Sequence, residues 1–97
     1  MIQHLVLITF VPEATDEQRQ AVVEGLEDLP NHIPEIVSYH VGLDLGLADG
    51  NASVGVAAEF ATDADWATYQ AHPSHQAVID DLIAPVRASR TAVQFIL

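Results

Sequence analysis

The segment Ile2–Phe10 constrains the fold of this 97-residue chain more than any other. It is rich in β-branched and aromatic residues, and Pro12 follows it, so it is predicted to form a strand. Successive side chains of a strand point to opposite faces, and apolar residues here occupy both, with Val6 and Ile8 on one and Leu5 on the other. A strand of this kind is covered on both sides. The chain must therefore supply helices for one face and a further apolar surface for the other.

The remaining pattern supplies two helical arms and three more strands. A capping box in residues 15–18 begins the first arm, which runs to Pro30. The second arm begins near Thr62 and is divided at Pro73, because the residue before a proline avoids helical backbone angles. The three further strands are predicted over residues 36–43, 54–60 and 91–97. The order β-α-β-β-α-β in one domain, residues 1–97, predicts a ferredoxin-like α+β fold with an antiparallel four-stranded sheet.

The sheet face opposite the helices is predicted to be buried against a second copy of the chain. Leu5 and Leu7 point to this face, and the small residues Gly55 and Ala57 on a neighbouring strand permit close approach. Left open to water, the face would be an apolar patch too large for a monomer. A two-fold homodimer that packs sheet against sheet is the simplest arrangement.

Composition excludes several classes of function. Three arginines, no lysine and 14 acidic residues give a formal net charge of −11, which repels nucleic-acid backbones and anionic membranes. No apolar run approaches the roughly 20 residues of a membrane span, and the N-terminus lacks the features of a signal peptide, so we expect a cytoplasmic protein. The absence of cysteine excludes disulfides, thiolate catalysis and Cys-based zinc sites.

Acid–base groups are concentrated in the run Tyr69-Gln70-Ala71-His72-Pro73-Ser74-His75. A phenol and two imidazoles this close together can exchange protons with a substrate. His4 falls on the strand face that the helices cover, where it could hydrogen-bond His75 and fix its tautomer. Each of these residues also has a purely structural interpretation. Tyr69 can be a packed aromatic, His4 a hydrogen-bonded core histidine, and His72 a cap for the helix break.

A metal site is a weaker functional alternative for the histidines. His72 and His75 have a spacing that can place both on one helix face, with His4 as a third nitrogen ligand. Pro73 distorts that geometry, however, and the spacing matches no common zinc motif. We therefore predict neither a metal nor a cofactor.

Four features occur in the order and spacing of one known family. They are His4 in the first strand, the Ile33-Pro34 pair, Gly42 followed by Asp44, and Tyr69-x-x-His72-Pro73-x-His75. In this combination, over nearly its full length, the chain resembles the stress-responsive A/B-barrel (Dabb) family of the dimeric α+β-barrel superfamily. The resemblance implies a homodimer whose two sheets form a barrel, with a pocket in each protomer between sheet and helices.

The resemblance also implies site residues. The family includes a plant polyketide cyclase that closes a linear polyketide by aldol condensation without a cofactor. Its catalytic Tyr and His match Tyr69 and His75, and the family's N-terminal strand histidine matches His4. The positions assigned to the binding pocket are Val6, Ile8, Val22, Val23, Leu26, Val56 and His72. Several of these are aromatic in the cyclase and aliphatic here, so the ligand is expected to differ in shape.

Two functions stay open at this stage. In the first, the pocket binds a hydrophobic carbonyl compound, His75 removes a proton from the carbon beside the carbonyl, and Tyr69 donates a hydrogen bond to the enolate oxygen. In the second, the protein is a stress-associated structural or binding dimer without turnover.

Overall fold

One antiparallel four-stranded sheet organises the molecule, and the ferredoxin-like prediction is confirmed. The computed structural model describes all 97 residues. The strands are β1 (Ile2–Phe10), β2 (Ile36–Leu43), β3 (Val54–Phe60) and β4 (Arg87–Ile96), in the spatial order β2-β3-β1-β4. The helices are α1 (Asp16–Glu27), α2 (Asp63–Ala71) and α3 (Pro73–Val78). None of them is long and apolar enough to cross a membrane.

The helices cover only one face of the sheet. On that face β1 presents four buried side chains and β3 presents another four, and all but one of these eight are apolar. They are His4, Val6, Ile8 and Phe10 from β1, and Val54, Val56, Ala58 and Phe60 from β3. Because a slip of one residue would turn this set to the other face, burial fixes the strand register.

The other sheet face is apolar and open. Its side chains form a shallow concavity of about 530 Å³ lined by Leu5, Leu7, Gly55, Ala57, Thr91 and Val93. Leu7 keeps 51% and Val93 52% of its surface exposed. The structure thus places Leu5, Leu7, Gly55 and Ala57 together on the face where the sequence predicts them.

Helix α1 begins at the capping box that the sequence predicts. The Gln18 backbone N–H donates to Thr15 Oγ1 at 3.1 Å, and the Thr15 backbone N–H donates to Gln18 Oε1 at 2.9 Å. The helix ends at Glu27, slightly earlier than expected, and Pro30 lies in a following 3₁₀ turn. Proline has no N–H to donate to the helical ladder, which explains why the regular helix does not reach it.

The second helical arm is broken at the predicted place. His72 is extended (ψ 135°) between α2 and α3, and Pro73 is the first residue of α3. After α3 the chain continues as a π-helical segment, Ile79–Ile83; the sequence pattern predicts a helix here, to about Pro85, but not its π form. Gly25 of α1 lets this segment approach closely, because a Cβ there would lie 2.6 Å from Leu82 Cδ1.

Strand β4 begins at Arg87, four residues before the predicted start at Thr91. The added residues are arginine, alanine and serine, which do not have the β-branched or aromatic pattern of a strand. They nevertheless pair with β1, with a β-bulge at Ala88. The partners around the bulge are Thr9 with Ser89 and Phe10 with Arg87.

Candidate functional site

A cavity of about 280 Å³ lies between the sheet and the helices. Its apolar wall consists of Val6, Ile8, Leu26, Val56, Ile79 and Ile83. Its polar side chains are His4, Tyr69, Gln70, His75, Arg87 and Arg90. The volume is just below the roughly 300–1,000 Å³ of small-molecule sites, so the cavity suits a small ligand.

Seven of the ten predicted site residues line this cavity, and three lie outside it. Val22 and Val23 are buried in the core, with 0% and 7% exposure, and do not reach the cavity. His72 is engaged at the helix break, where its Nδ1 accepts a hydrogen bond from the Ser74 backbone N–H at 3.1 Å. Its imidazole therefore caps α3, which is the structural alternative that the sequence left open for it.

Tyr69 and His75 meet at the cavity wall. Their ring centroids are 4.3 Å apart with an interplanar angle of 43°, and the two residues are 2% and 7% exposed. The His75 Nδ1–H donates to the Gln70 backbone carbonyl at 3.3 Å, since a carbonyl can only accept. The proton is thereby held on Nδ1, and Nε2 keeps its lone pair. The break at Pro73 brings the start of α3 back against the last turn of α2 and so creates this contact.

Burial sets the protonation states of this pair. It lowers the pKa of His75, an effect that the hydrogen bond to Gln70 opposes and the charge of Arg90 reinforces. Burial also raises the pKa of Tyr69. At neutral pH His75 is therefore a neutral base and Tyr69 a neutral hydrogen-bond donor, as acid–base chemistry requires.

Tyr39 is a neighbour of the site that the sequence analysis missed. The Tyr39 and Tyr69 hydroxyls are hydrogen-bonded at 2.7 Å, and burial raises the pKa of Tyr39. When Tyr39 donates in this bond, the Tyr69 proton is available to a ligand. Periodicity places Tyr39 on β2, but no sequence signal links that strand position to α2, because the contact depends on the tertiary packing.

His4 is held by a partner other than the expected one. The Gln94 side-chain N–H donates to His4 Nδ1 at 2.8 Å, so the His4 proton resides on Nε2. No hydrogen bond joins His4 to His75, whose tautomer is set by Gln70 instead. The His4 ring is 1% exposed and packs edge-on against Phe60, Trp66 and Tyr69, with centroid distances of 5.9–6.3 Å.

The stability of the fold is expected to fall in acid because of His4. Burial, reinforced by the charges of Arg90 and His75, lowers its pKa from 6.5 to about 4. Between these values the unfolded chain binds the proton and the folded one does not. The free energy of unfolding should therefore decrease by about 3 kcal/mol as the pH falls from 6.5 to 4.

Urea unfolding at fixed protein concentration over this pH range measures the effect. His4→Gln should remove most of the dependence of the free energy of unfolding on pH. A smaller dependence should remain from His75, whose pKa is also lowered. An unchanged slope in His4→Gln would contradict the assignment.

The histidines of the metal hypothesis do not form a ligand set. No group of three or more His, Asp or Glu side chains has a geometry that could hold a metal ion. His40 is exposed on the open sheet face, and His32 contacts Asp28 at 2.9 Å on the surface.

The sequence analysis also missed Arg87 and Arg90. Both line the cavity from β4, in the part of the strand that precedes its predicted start at Thr91. The one available signal was their rarity, because the chain has only three arginines and no lysine.

Solved structures resemble this chain over nearly its whole length. A dimeric ferredoxin-like protein of unknown function from Thermobifida fusca is 41% identical, with a TM-score of 0.91 and coverage of 99% of this chain and 90% of that one. A dimeric protein of unknown function and ferredoxin-like fold from Bacteroides fragilis is 25% identical, with a TM-score of 0.87 and coverage of 99% and 95%. The hydroxynitrile lyase of Passiflora edulis is 17% identical, with a TM-score of 0.85 and coverage of 99% and 92%, and at this identity the likeness shows the fold alone. No curated protein sequence matches.

Fold and site together define a small ferredoxin-like α+β protein with an interior cavity in the protomer. The model of the stress responsive A/B barrel domain (Dabb) matches residues 2–97. The chain therefore belongs to the Dabb family, as its sequence motifs indicate.

Proposed function

We propose that the protein is a homodimer in which each protomer binds a small hydrophobic carbonyl compound and performs acid–base chemistry on it without a cofactor. The observation that carries this proposal is the contact of Tyr69 with His75 at the cavity wall, at 4.3 Å between ring centroids. A base with a free lone pair and a neutral phenol donor lie side by side at a cavity whose remaining wall is largely aliphatic.

The proposed reaction is proton abstraction next to a carbonyl group. Nε2 of His75 accepts the proton from the α-carbon, the C–H electron pair becomes the enolate, and Tyr69 donates a hydrogen bond to its oxygen. The proton returns from His75 when the enolate is quenched. In an aldol ring closure of the cyclase type, the enolate carbon would instead attack a second carbonyl of the same molecule, and the new alkoxide would take up the proton.

Tyr39 and Gln94 each position a side chain that lines the cavity, Tyr69 and His4 respectively. A hydrogen bond of 2.7 Å from the Tyr39 hydroxyl holds the Tyr69 hydroxyl in place. A hydrogen bond of 2.8 Å from the Gln94 side chain fixes the tautomer of His4. His4, neutral because of its lowered pKa, contributes an aromatic wall and an Nε2–H donor rather than a charge. We therefore assign His4 a positioning role beside the Tyr69–His75 pair.

The open sheet face supports the homodimer. It presents an apolar concavity with Leu7 and Val93 half exposed, and the small residues Gly55 and Ala57 leave room for another surface. The relative from Thermobifida fusca is described as dimeric. Packing two such faces about a two-fold axis would bury this apolar concavity in both protomers.

Acetophenone, an apolar ketone with an enolisable methyl group, tests the proposal. In an NMR titration, it should shift the resonances of the cavity residues, and in D₂O the protein should accelerate exchange of its methyl protons above the buffer rate. Binding without exchange would support the alternative of a non-catalytic binding dimer. Absence of both would contradict the proposed function.

A further inference from the structure

The β-bulge in β4 aims two arginines at the cavity. In a regular strand, Arg87 and Arg90 would point to opposite faces because they are three residues apart. The bulge at Ala88 adds one residue, so Arg90 opposes Ile8 while Arg87 opposes Phe10. Ile8 and Phe10 both point to the helical face, and their partners on β4 share it. Bulges of this kind often redirect side chains beside functional sites.

Neither of these arginines has a protein partner. The chain carries 14 acidic residues, but no carboxylate lies within salt-bridge distance of Arg87 or Arg90, and neither guanidinium makes a hydrogen bond within the protein. The third arginine differs, because Arg19 lies 5.4 Å from the Phe10 ring centre and donates to the Ala14 carbonyl. Two of the three arginines therefore line the cavity as solvent-exposed side chains without an ion pair, in a molecule of net charge −11.

We propose, building on the proposed function, that the ligand is an oxo carboxylic acid whose carboxylate is bound by Arg87 and Arg90. A guanidinium presents its N–H groups in a planar fork that matches a carboxylate. The aliphatic wall accommodates the hydrophobic body, and the carbonyl group lies at Tyr69 and His75. The charge of Arg90 opposes the rise that burial causes in the pKa of Tyr69 and adds to the fall that burial causes in the pKa of His75, so the guanidinium lies within electrostatic reach of both.

The long-range field of the protein also favours this assignment. A surface of net charge −11 repels anions, so an anion will bind only where local positive charge offsets that field. Arg87 and Arg90 supply two such charges at the cavity. Inorganic phosphate could use the same guanidinium groups, but it has no apolar body to occupy the aliphatic wall.

Benzoate and its neutral analogue benzamide test the proposal by isothermal titration at low ionic strength, with acetophenone and inorganic phosphate measured in parallel. We expect benzoate to bind at least tenfold more tightly than benzamide. Arg90→Gln should weaken benzoate binding by about tenfold to a hundredfold, the range for hydrogen bonds to charged groups, and leave benzamide binding unchanged. Arg90→Lys, which keeps the charge, should retain part of the benzoate affinity.

Arg19→Gln is the matched control, because it changes the net charge equally at a residue outside the cavity. It should leave benzoate binding unchanged. Equal affinity for benzoate and benzamide, equal losses in Arg19→Gln and Arg90→Gln, or phosphate binding as tight as benzoate binding would each overturn the proposal. Acetophenone binding reports on the proposed function alone, so either proposal can fail without the other.

Discussion

Leu7→Glu is expected to convert the protein from a dimer into a monomer. Leu7 lies in the middle of the open sheet face and is 51% exposed in the protomer. In a two-fold dimer the substitution buries two carboxylates against apolar surface. At roughly 3 kcal/mol or more for each unpaired buried charge, dimer affinity should fall on the order of 10⁴-fold. Analytical ultracentrifugation over a dilution series measures this change.

Leu47→Glu provides the control for that experiment. It makes the same substitution at a leucine that is 85% exposed in the loop between β2 and β3. This variant should remain dimeric. If Leu7→Glu stays dimeric at the same concentrations, the dimer does not form through this sheet face. All the cavity residues belong to one protomer, so acetophenone should still bind to the Leu7→Glu monomer.

The fold could be predicted because its local signals agree with its tertiary structure. Alternation in β1, the capping box at residues 15–18 and the proline at position 73 each act over a few residues, and each one has the predicted effect. The open apolar face also follows from alternation, because every second side chain of the same strands points away from the helices. The error at the end of α1, near Pro30, is small because a proline limits a helix without fixing its last residue.

The candidate site could be predicted only in part, because it depends on long-range packing. The pairing of Tyr69 with Tyr39 joins residues 30 positions apart, and that of His4 with Gln94 joins residues 90 positions apart. The bulge at Ala88 has no local signature, since the residues around it lack strand propensity and pair only because β1 lies beside them. As a result, the sequence indicated Tyr69, His75 and most of the aliphatic wall, but not the arginines that also line the cavity.

His75→Ala is expected to abolish accelerated proton exchange while preserving ligand binding. The substitution removes the only base whose tautomer is held with a free lone pair beside Tyr69. A positioned general base contributes about 10²–10⁴-fold, so the exchange rate of acetophenone should fall by that factor. The NMR titration should still report binding, because the aliphatic wall is unchanged.

Two further measurements separate a catalytic histidine from a structural one. The alanine variant leaves a space the size of an imidazole ring, so added imidazole should restore part of the exchange rate. In the wild-type protein the rate should fall to half of its plateau only below pH 6.5, because the pKa of His75 is lowered from that value and the residue must be neutral to act as a base. His32→Ala, which removes an exposed histidine outside the cavity, should leave the rate unchanged. If His75→Ala exchanges the acetophenone protons at the wild-type rate, His75 is not the general base. Tyr69 and His75 would then be packing residues of a binding protein.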